Sequence, residues 1–89
     1  MEQAELHERL KQLHQELQQV GAVDPESRAL LQKIDDDIQA VLSTKEAHPQ
    51  RYRRFGEGLR AGIERFEASH PDLALTMGQL ADMLAKMGI

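Results

Sequence analysis

Large apolar residues recur in the first part of the chain at alternating spacings of four and three residues. Side chains with this spacing lie on one stripe of a helix, and the Glu, Gln, Lys, Arg and His residues between them suit its solvated side. The members of this first stripe are Leu6, Leu10, Leu13, Leu17 and Val20. The pattern predicts an amphipathic helix over residues 3–20, which Gly21 is placed to cap.

A second helix is predicted to begin at Asp24-Pro25. The Asp24 side chain is placed to accept amide hydrogens of the first turn, and Pro25 occupies a position where its missing donor does no harm. The apolar positions that follow are Leu30, Leu31, Ile34, Ile38, Val41 and Leu42. They predict a helix over residues 25–42. The short connection from Gly21 to Val23 predicts that the first two helices form an antiparallel hairpin.

Residues 43–50 are polar and are expected to form a linker, with Pro49 near the start of the next helix. Apolar positions then predict a third helix over residues 50–69. They are Tyr52, Phe55, Leu59, Ile63 and Phe66. This helix is expected to end or kink before Pro71, because proline lacks a backbone donor and biases His70 away from helical geometry.

After Pro71 the alternating spacings return and predict a fourth helix over residues 71–87. The members of this C-terminal stripe are Leu73, Met77, Leu80, Leu84 and Met87. A parallel row of small residues lies beside it, at Ala74, Gly78, Ala81 and Ala85. Because small residues allow close approach, we expect this helix to pack on two sides.

The length of the chain affects how these helices are expected to pack. With 89 residues and no cysteine, the protein buries a modest share of its surface and has no disulfide or thiolate zinc site to support a small core. The first and C-terminal stripes are also narrow. The sequence therefore predicts an all-α fold that consists of a helical hairpin and a Pro-kinked C-terminal helix pair. We expect the helical bundle to be completed by association, in which these two stripes bind a second copy or a partner.

The formal net charge of −4 argues against nucleic-acid binding over the whole protein surface and against attraction to an anionic membrane. The first residues, MEQAELHERLKQLHQ, carry charges throughout, and nowhere do 18 apolar residues follow one another. We therefore expect a cytoplasmic protein that neither is exported nor spans a membrane.

Two specific motifs stand in the last part of the chain, ERFEASHP at residues 64–71 and the ending LAKMGI at residues 84–89. Through them, residues 55–89 resemble the small bacterial proteins of the domain of unknown function 4404 family. Residues 1–48 share the family's character: a Leu-rich helix, a short acidic turn and a second helix. The resemblance implies a helical fold and a bacterial origin, but no activity, ligand or catalytic residues.

The single basic cluster is Arg51-Tyr52-Arg53-Arg54-Phe55. Arginines interleaved with aromatics suit phosphate contact and base stacking, which makes nucleic-acid binding an alternative function. On a helix, however, the three arginines spread around the axis while Tyr52 and Phe55 share the buried side. A solvated helix start is the favoured interpretation.

Acidic residues offer two weaker candidates. Consecutive helical carboxylates at Asp35, Asp36 and Asp37 point about 100° apart, so they cannot converge on one cation without other ligands. Glu64 and Glu67 have the spacing of an acid–base pair, yet no nucleophile accompanies them. We interpret both sets as solvated or salt-bridged surface.

Histidines, glycines and methionines complete the candidates. A metal could join His7 and His14 only across a symmetric interface, since one heptad separates them along the helix. The pre-proline residues His48 and His70 suit turn or cap roles, and the position of His70 beside Ser69 and Asp72 leaves a further role for it open. The glycines Gly56, Gly58 and Gly62 match no phosphate loop and are interpreted as close-packing or helix-start positions. The methionines Met77, Met83 and Met87, with Met1, could form an adaptable partner-binding surface, but their heptad spacing favours core positions.

The sequence thus predicts no enzyme, no metal and no cofactor. The leading hypothesis is a homo-oligomeric scaffold or adaptor. The alternative is a nucleic-acid accessory protein that uses Arg51, Arg53 and Arg54.

Overall fold

Three of the four helices begin at a proline, the residue whose fixed backbone angle and missing donor suit the first helical position. The computed structural model describes residues 2–43 and 49–86. Its helices are α1 (Glu2–Gln19), α2 (Pro25–Ser43), α3 (Pro49–Phe66) and α4 (Pro71–Lys86). The described residues contain no strand, so the all-α prediction is confirmed.

The predicted cap of α2 forms at Asp24. One carboxylate oxygen of Asp24 accepts the Ser27 amide hydrogen at 3.3 Å, and the other accepts the Ser27 hydroxyl hydrogen at 2.6 Å. The Asp24 carbonyl accepts the first amide hydrogen of the helical ladder from Arg28, at 3.0 Å. The cap therefore satisfies donors that would otherwise lack a partner in the first turn.

The three connections make each helix antiparallel to the one before it. Only residues 20–24 join α1 to α2, and only residues 67–70 join α3 to α4. Residues 44–48 can span about 20 Å, which is shorter than the roughly 28 Å length of α2, so α3 must start beside the end of α2. The result is an up-down-up-down arrangement.

The four helices close into a ring. Each helix packs against its two neighbours, and α1 packs against α4, while the diagonal helices make no close approach in the described part of the chain. The ring surrounds one core, and the backbone extends 34 × 19 × 19 Å along its principal axes. Phe55, Leu59, Ile34 and Ile38 are fully buried in it.

The chain turns back on itself at Pro71, so α3 and α4 are two separate helices. The predicted end of the third helix at residue 69 was too late, because α3 ends at Phe66. The His70 amide donates to the Phe66 carbonyl at 2.7 Å, and the His70 carbonyl then accepts from Ala74 at 3.1 Å. Since Pro71 has no amide hydrogen and disfavours a helical His70, the ladder of α3 cannot continue through this point.

The closest approach between helices occurs at Gly62 of α3. A methyl group placed there would lie 2.6 Å from the sulfur of Met77 and 3.1 Å from the Cδ1 atom of Ile34. Gly62 thus lets α3 settle against both α4 and α2 at the centre of the bundle. This position confirms the interpretation of Gly62 as a close-packing residue.

Candidate interaction surface

The two stripes that were expected to bind a partner lie inside this chain. Leu6, Leu10 and Leu13 are buried, and Leu17 and Val20 pack on the edge of the same core. Of the C-terminal stripe, the buried members are Leu73, Met77, Leu80 and Leu84, while Met87 lies outside the described residues. The expectation that these stripes are left for a partner is corrected. The ring places both stripes in one core, which they share with apolar side chains of α2 and α3.

Polar pairs hold the α1–α2 seam. The Nδ1 atom of His14 lies 2.6 Å from a carboxylate oxygen of Asp35, and the Gln39 amide nitrogen lies 3.4 Å from the same ring nitrogen. His14 is therefore occupied within the chain, whereas His7 is exposed. Sequence reasoning treated His14 and Asp35 separately, because nothing in their local spacing shows that they meet.

A second long-range pair joins α1 to α4. The buried hydroxyl of Thr76 donates to the Glu16 carboxylate, with distances of 2.8 and 2.9 Å to its two oxygens. Neither residue was singled out from the sequence. Each stands directly before a stripe member, and this position could have shown that its side chain lies at the border between two helices. This bond fixes the lateral position of α4 against α1.

Arg65 joins the end of α3 to the start of α2. Its guanidinium group donates to the Ser27 hydroxyl at 2.6 Å and to the Asp24 carboxylate at 2.8 Å, and it lies 3.4 Å from the Glu26 carboxylate. The hydrogen bond from the Ser27 hydroxyl is the largest of the effects that lower the pKa of Asp24 to about 2, and Arg65 adds to them. Arg60 and Glu64, whose spacing of four residues on α3 suits a salt bridge, form no ion pair in the described structure, whereas Arg65 pairs with Asp24 and Glu26.

The three consecutive aspartates diverge, as their spacing predicts. Asp35 belongs to the α1–α2 seam, Asp36 is exposed, and Asp37 lies at the α2–α3 seam. Burial raises the pKa of Asp37, against the lowering effect of the charges on Lys33 and Arg54. One Asp37 carboxylate oxygen is buried without a hydrogen-bond partner. Buried polar atoms normally have hydrogen-bond partners, so the burial of this oxygen reduces the stability of the folded state.

The basic cluster does not form a single patch. Arg53 lines a groove between α3 and α4, whereas Arg54 lies on the other side of α3, near Asp37. Tyr52 is half-buried and Phe55 is fully buried, so the aromatic rings support the core. A nucleic-acid strand would therefore not meet three arginines and two exposed rings together.

The residues that give the family resemblance form the turn between α3 and α4. Within this turn the Phe66 side chain is buried, and the His70 ring packs edge-on against it with centroids 5.8 Å apart. The His70 Nδ1 atom lies 3.0 Å from the Ser69 hydroxyl. A depression of about 510 Å³ beside His70 is bordered by Glu16 and Asp72. His70 thus has the turn and cap role expected for it; His48 lies outside the described residues.

The model of the family described as Domain of unknown function (DUF4404) matches residues 6–89, which include all but the first four residues of α1 and the whole of the other three helices. The chain belongs to this family. No curated protein and no solved structure matches it. Because the function of this family is unknown, the function of the chain has to be inferred from its surface.

Within residues 2–43 and 49–86 no three His, Asp or Glu side chains are grouped so that they could hold a metal ion. None of the helices described there is both long enough and apolar enough to cross a membrane.

The outward side of α4 carries the one large apolar side chain that is exposed among the described residues. We call Leu75, Gly78, Asp82 and Ala85 the α4 outer face. Leu75 is a large apolar side chain with 63% of its surface exposed, and a methyl group built on Gly78 would meet nothing within 4 Å. Small residues and one exposed leucine leave this helix accessible to another backbone.

Proposed function

We propose that this DUF4404 protein is a self-associating scaffold or adaptor of the bacterial cytoplasm, without catalytic activity. The observation that carries the proposal is the α4 outer face, where Leu75 is exposed beside the uncovered Gly78. Because the predicted stripes are consumed inside the ring, a second copy must bind the outside of the bundle.

A single exposed leucine is ordinary on a protein surface, so its setting matters. Leu75 lies one helical turn from Gly78, and Ala85 lies two turns beyond Gly78 on the same side. Small residues at such spacing allow two helices to approach closely around a larger apolar contact. This setting favours contact with another helix over contact with a small ligand.

The test is the molar mass in solution, measured by light scattering after size exclusion from micromolar to millimolar concentration. The mass should rise from 10.1 kDa toward twice that value as the concentration increases. Leu75→Glu should keep the protein monomeric, and the matched change Ala61→Glu, at an exposed position of α3, should not. A wild-type protein that stays monomeric throughout would refute self-association.

The nucleic-acid alternative receives less support from the geometry. Arg53 and Arg54 lie on different sides of α3, and Glu57 lies in the same groove as Arg53. Contacts with several phosphates require cations on one continuous surface. Salt-dependent binding of DNA or RNA that is lost when Arg51, Arg53 and Arg54 become Ala would nevertheless favour this alternative.

A further inference from the structure

The three consecutive aspartates of α2 have no part in the proposed scaffold function. Asp35 meets His14 of α1, Asp36 is exposed, and Asp37 faces α3. Only α1 and α3 pack against α2 in the described part of the chain. A carboxylate therefore lies at each of the two seams of this helix, and the two carboxylates differ in how their oxygens are satisfied.

Asp37 places a carboxylate oxygen where no side chain donates to it. The side chain is half-buried, but its Oδ2 atom is closed off from solvent and has no hydrogen-bond partner among the described residues. A methyl group built on Gly58 of α3 would lie 4.0 Å from this oxygen and 3.6 Å from the Ile34 Cγ1 atom. The oxygen is thus held beside a glycine and an isoleucine, which have no side-chain donor.

Burial is the largest effect on Asp37, and it raises the pKa of this carboxyl above its ordinary value of 3.8. The charges on Lys33 and Arg54 act in the opposite direction, and the charge on Asp36 adds to the effect of burial. Neither cation forms an ion pair with Asp37 within residues 2–43 and 49–86. Loss of hydration therefore outweighs the attraction of two cations that make no direct contact.

We propose that Asp37 makes the α2–α3 seam responsive to protons: the closing of α2 on α3 is linked to the uptake of a proton by Asp37, so the bundle is tighter in mild acid than at neutral pH. A proton on this carboxyl removes the charge whose burial is unfavourable. The seam lies within one chain, so its response does not require self-association.

The direction of the pH dependence follows from the two states of the chain. Unfolded Asp37 has its ordinary pKa of 3.8, and folded Asp37 has a higher pKa. Between these two values the folded protein holds a proton that the unfolded protein has released, so stability rises as the pH falls through this window. Above the window the unfavourable burial of charge is present in full, and below 3.8 the dependence ends. Asp24 acts at lower pH and in the opposite direction, since its pKa is lowered to about 2.

The first experiment measures urea unfolding of the full chain between about pH 7 and about pH 4, at one fixed protein concentration. Asp37→Asn keeps the shape of the side chain but cannot ionise. Its unfolding equilibrium constant should be about fivefold below that of the wild type at neutral pH and should approach the wild-type value in mild acid. Asp36→Asn is the matched control, because it makes the same change of charge at the exposed neighbouring position and should keep the acid response.

A second pair of variants supplies the missing donor from the other side of the seam. The Cβ atom of residue 58 would lie 4.0 Å from the Asp37 Oδ2 atom, so a hydroxyl one bond further can reach this oxygen. Gly58→Ser should therefore weaken the acid response, because a hydrogen bond favours the ionised carboxylate. Gly58→Ala occupies the same space without a donor and should keep the response.

A direct readout requires no substitution. Carbon-13 NMR of the Asp37 carboxyl in the folded wild-type protein should show protonation at a pH above 3.8, the ordinary value for an aspartate. His14 faces Asp35 across the α1–α2 seam and contributes its own pH dependence to unfolding. His14 is present in the wild type and in every variant, so the difference between the Asp37 and Asp36 variants isolates Asp37.

A rise in wild-type stability on mild acidification that is lost in Asp37→Asn, together with protonation of Asp37 above pH 3.8, would support the proposal. An acid response that persists in Asp37→Asn would belong to other groups and would overturn it, as would protonation of Asp37 at or below 3.8 in the folded protein. Equal responses of Gly58→Ser and Gly58→Ala would overturn the placement of the buried oxygen against Gly58.

Discussion

Replacing Gly62 with alanine should destabilise the bundle, although the same change at a neighbouring glycine should stabilise it. A methyl group on Gly62 would lie 2.6 Å from the Met77 sulfur, and 3.1 Å from both the Met77 Cε atom and the Ile34 Cδ1 atom. Carbon and sulfur atoms in packed interiors do not approach to 2.6 Å, so Met77 must move. Met77 is fully buried, which means that it can move only by disturbing its core neighbours.

The magnitude follows from two opposing terms. Alanine is a better helix former than glycine by about 1 kcal/mol. Inserting a methyl group into a packed core costs about 1–3 kcal/mol, and the flexible thioether of Met77 favours the middle of that range. The net loss for Gly62→Ala should be about 1 kcal/mol, which lowers the melting temperature of a domain this size by about 4–8 °C.

The assay is urea unfolding followed by circular dichroism at a helical wavelength. Gly58→Ala is the matched control on the same helix, because a methyl group there meets Ile34 Cγ1 at 3.6 Å, an ordinary contact distance. Gly58→Ala should raise the free energy of unfolding by about 1 kcal/mol. The two alanine substitutions should therefore differ in sign while the dependence on urea stays the same.

A second comparison isolates the contact itself. In a Met77→Ala background the atoms closest to the new methyl group are gone, so Gly62→Ala should no longer destabilise. If Gly62→Ala stabilised the wild-type protein as much as Gly58→Ala does, the close approach of α3 to α4 would be refuted.

Three further predictions test the polar contacts. Asp37→Ala should raise the free energy of unfolding at neutral pH by about 1 kcal/mol more than Asp36→Ala, because only the change at Asp37 removes a buried oxygen without a hydrogen-bond partner. Equal free energies of unfolding for the two variants would contradict this prediction. The folded-state pKa of Asp24, about 2, lies below its ordinary value of 3.8, so its contribution to stability is complete above about pH 4 and is lost as the pH falls through 2. Asp24→Asn should remove that part of the acid dependence of the urea midpoint, and an unchanged acid slope would count against the cap. Thr76→Val should cost about 1–2 kcal/mol in urea unfolding by breaking the bond to Glu16, whereas Glu16→Gln, which keeps an acceptor, should cost less; the reverse order would contradict the bond.

The helices themselves were predictable because their causes are local. Asp24 caps α2 through residues three and four positions ahead, and Pro71 blocks the ladder of the helix before it. The end of α3 was misplaced by three residues, because the sequence shows that Pro71 must interrupt the ladder but not how many residues the reversal requires. Phe66 ends the helix, and the turn is completed by the contact of the His70 ring with it.

The interaction surface was predicted less well, for an identifiable reason. Stripes such as Leu6 to Val20 show that a helix has an apolar side, but they do not show what covers it. Sequence reasoning placed a second copy or a partner there, and the structure places the core of the same chain there. Leu75, which lies outside every stripe, was not among the candidates because one apolar residue on a solvated side has no periodic signal.

By itself the sequence determined the number of helices, their starts at Asp24-Pro25 and Pro71, and which side of each is apolar, since these depend on neighbours within one or two turns. Only the tertiary structure decided that the four apolar sides close into one ring. It also decided that His14 meets Asp35, that Thr76 meets Glu16, and that the α4 outer face remains uncovered. Such pairings depend on how whole helices fit around a shared core, through contacts like that of Gly62 with Met77, and no short stretch of the chain contains that information.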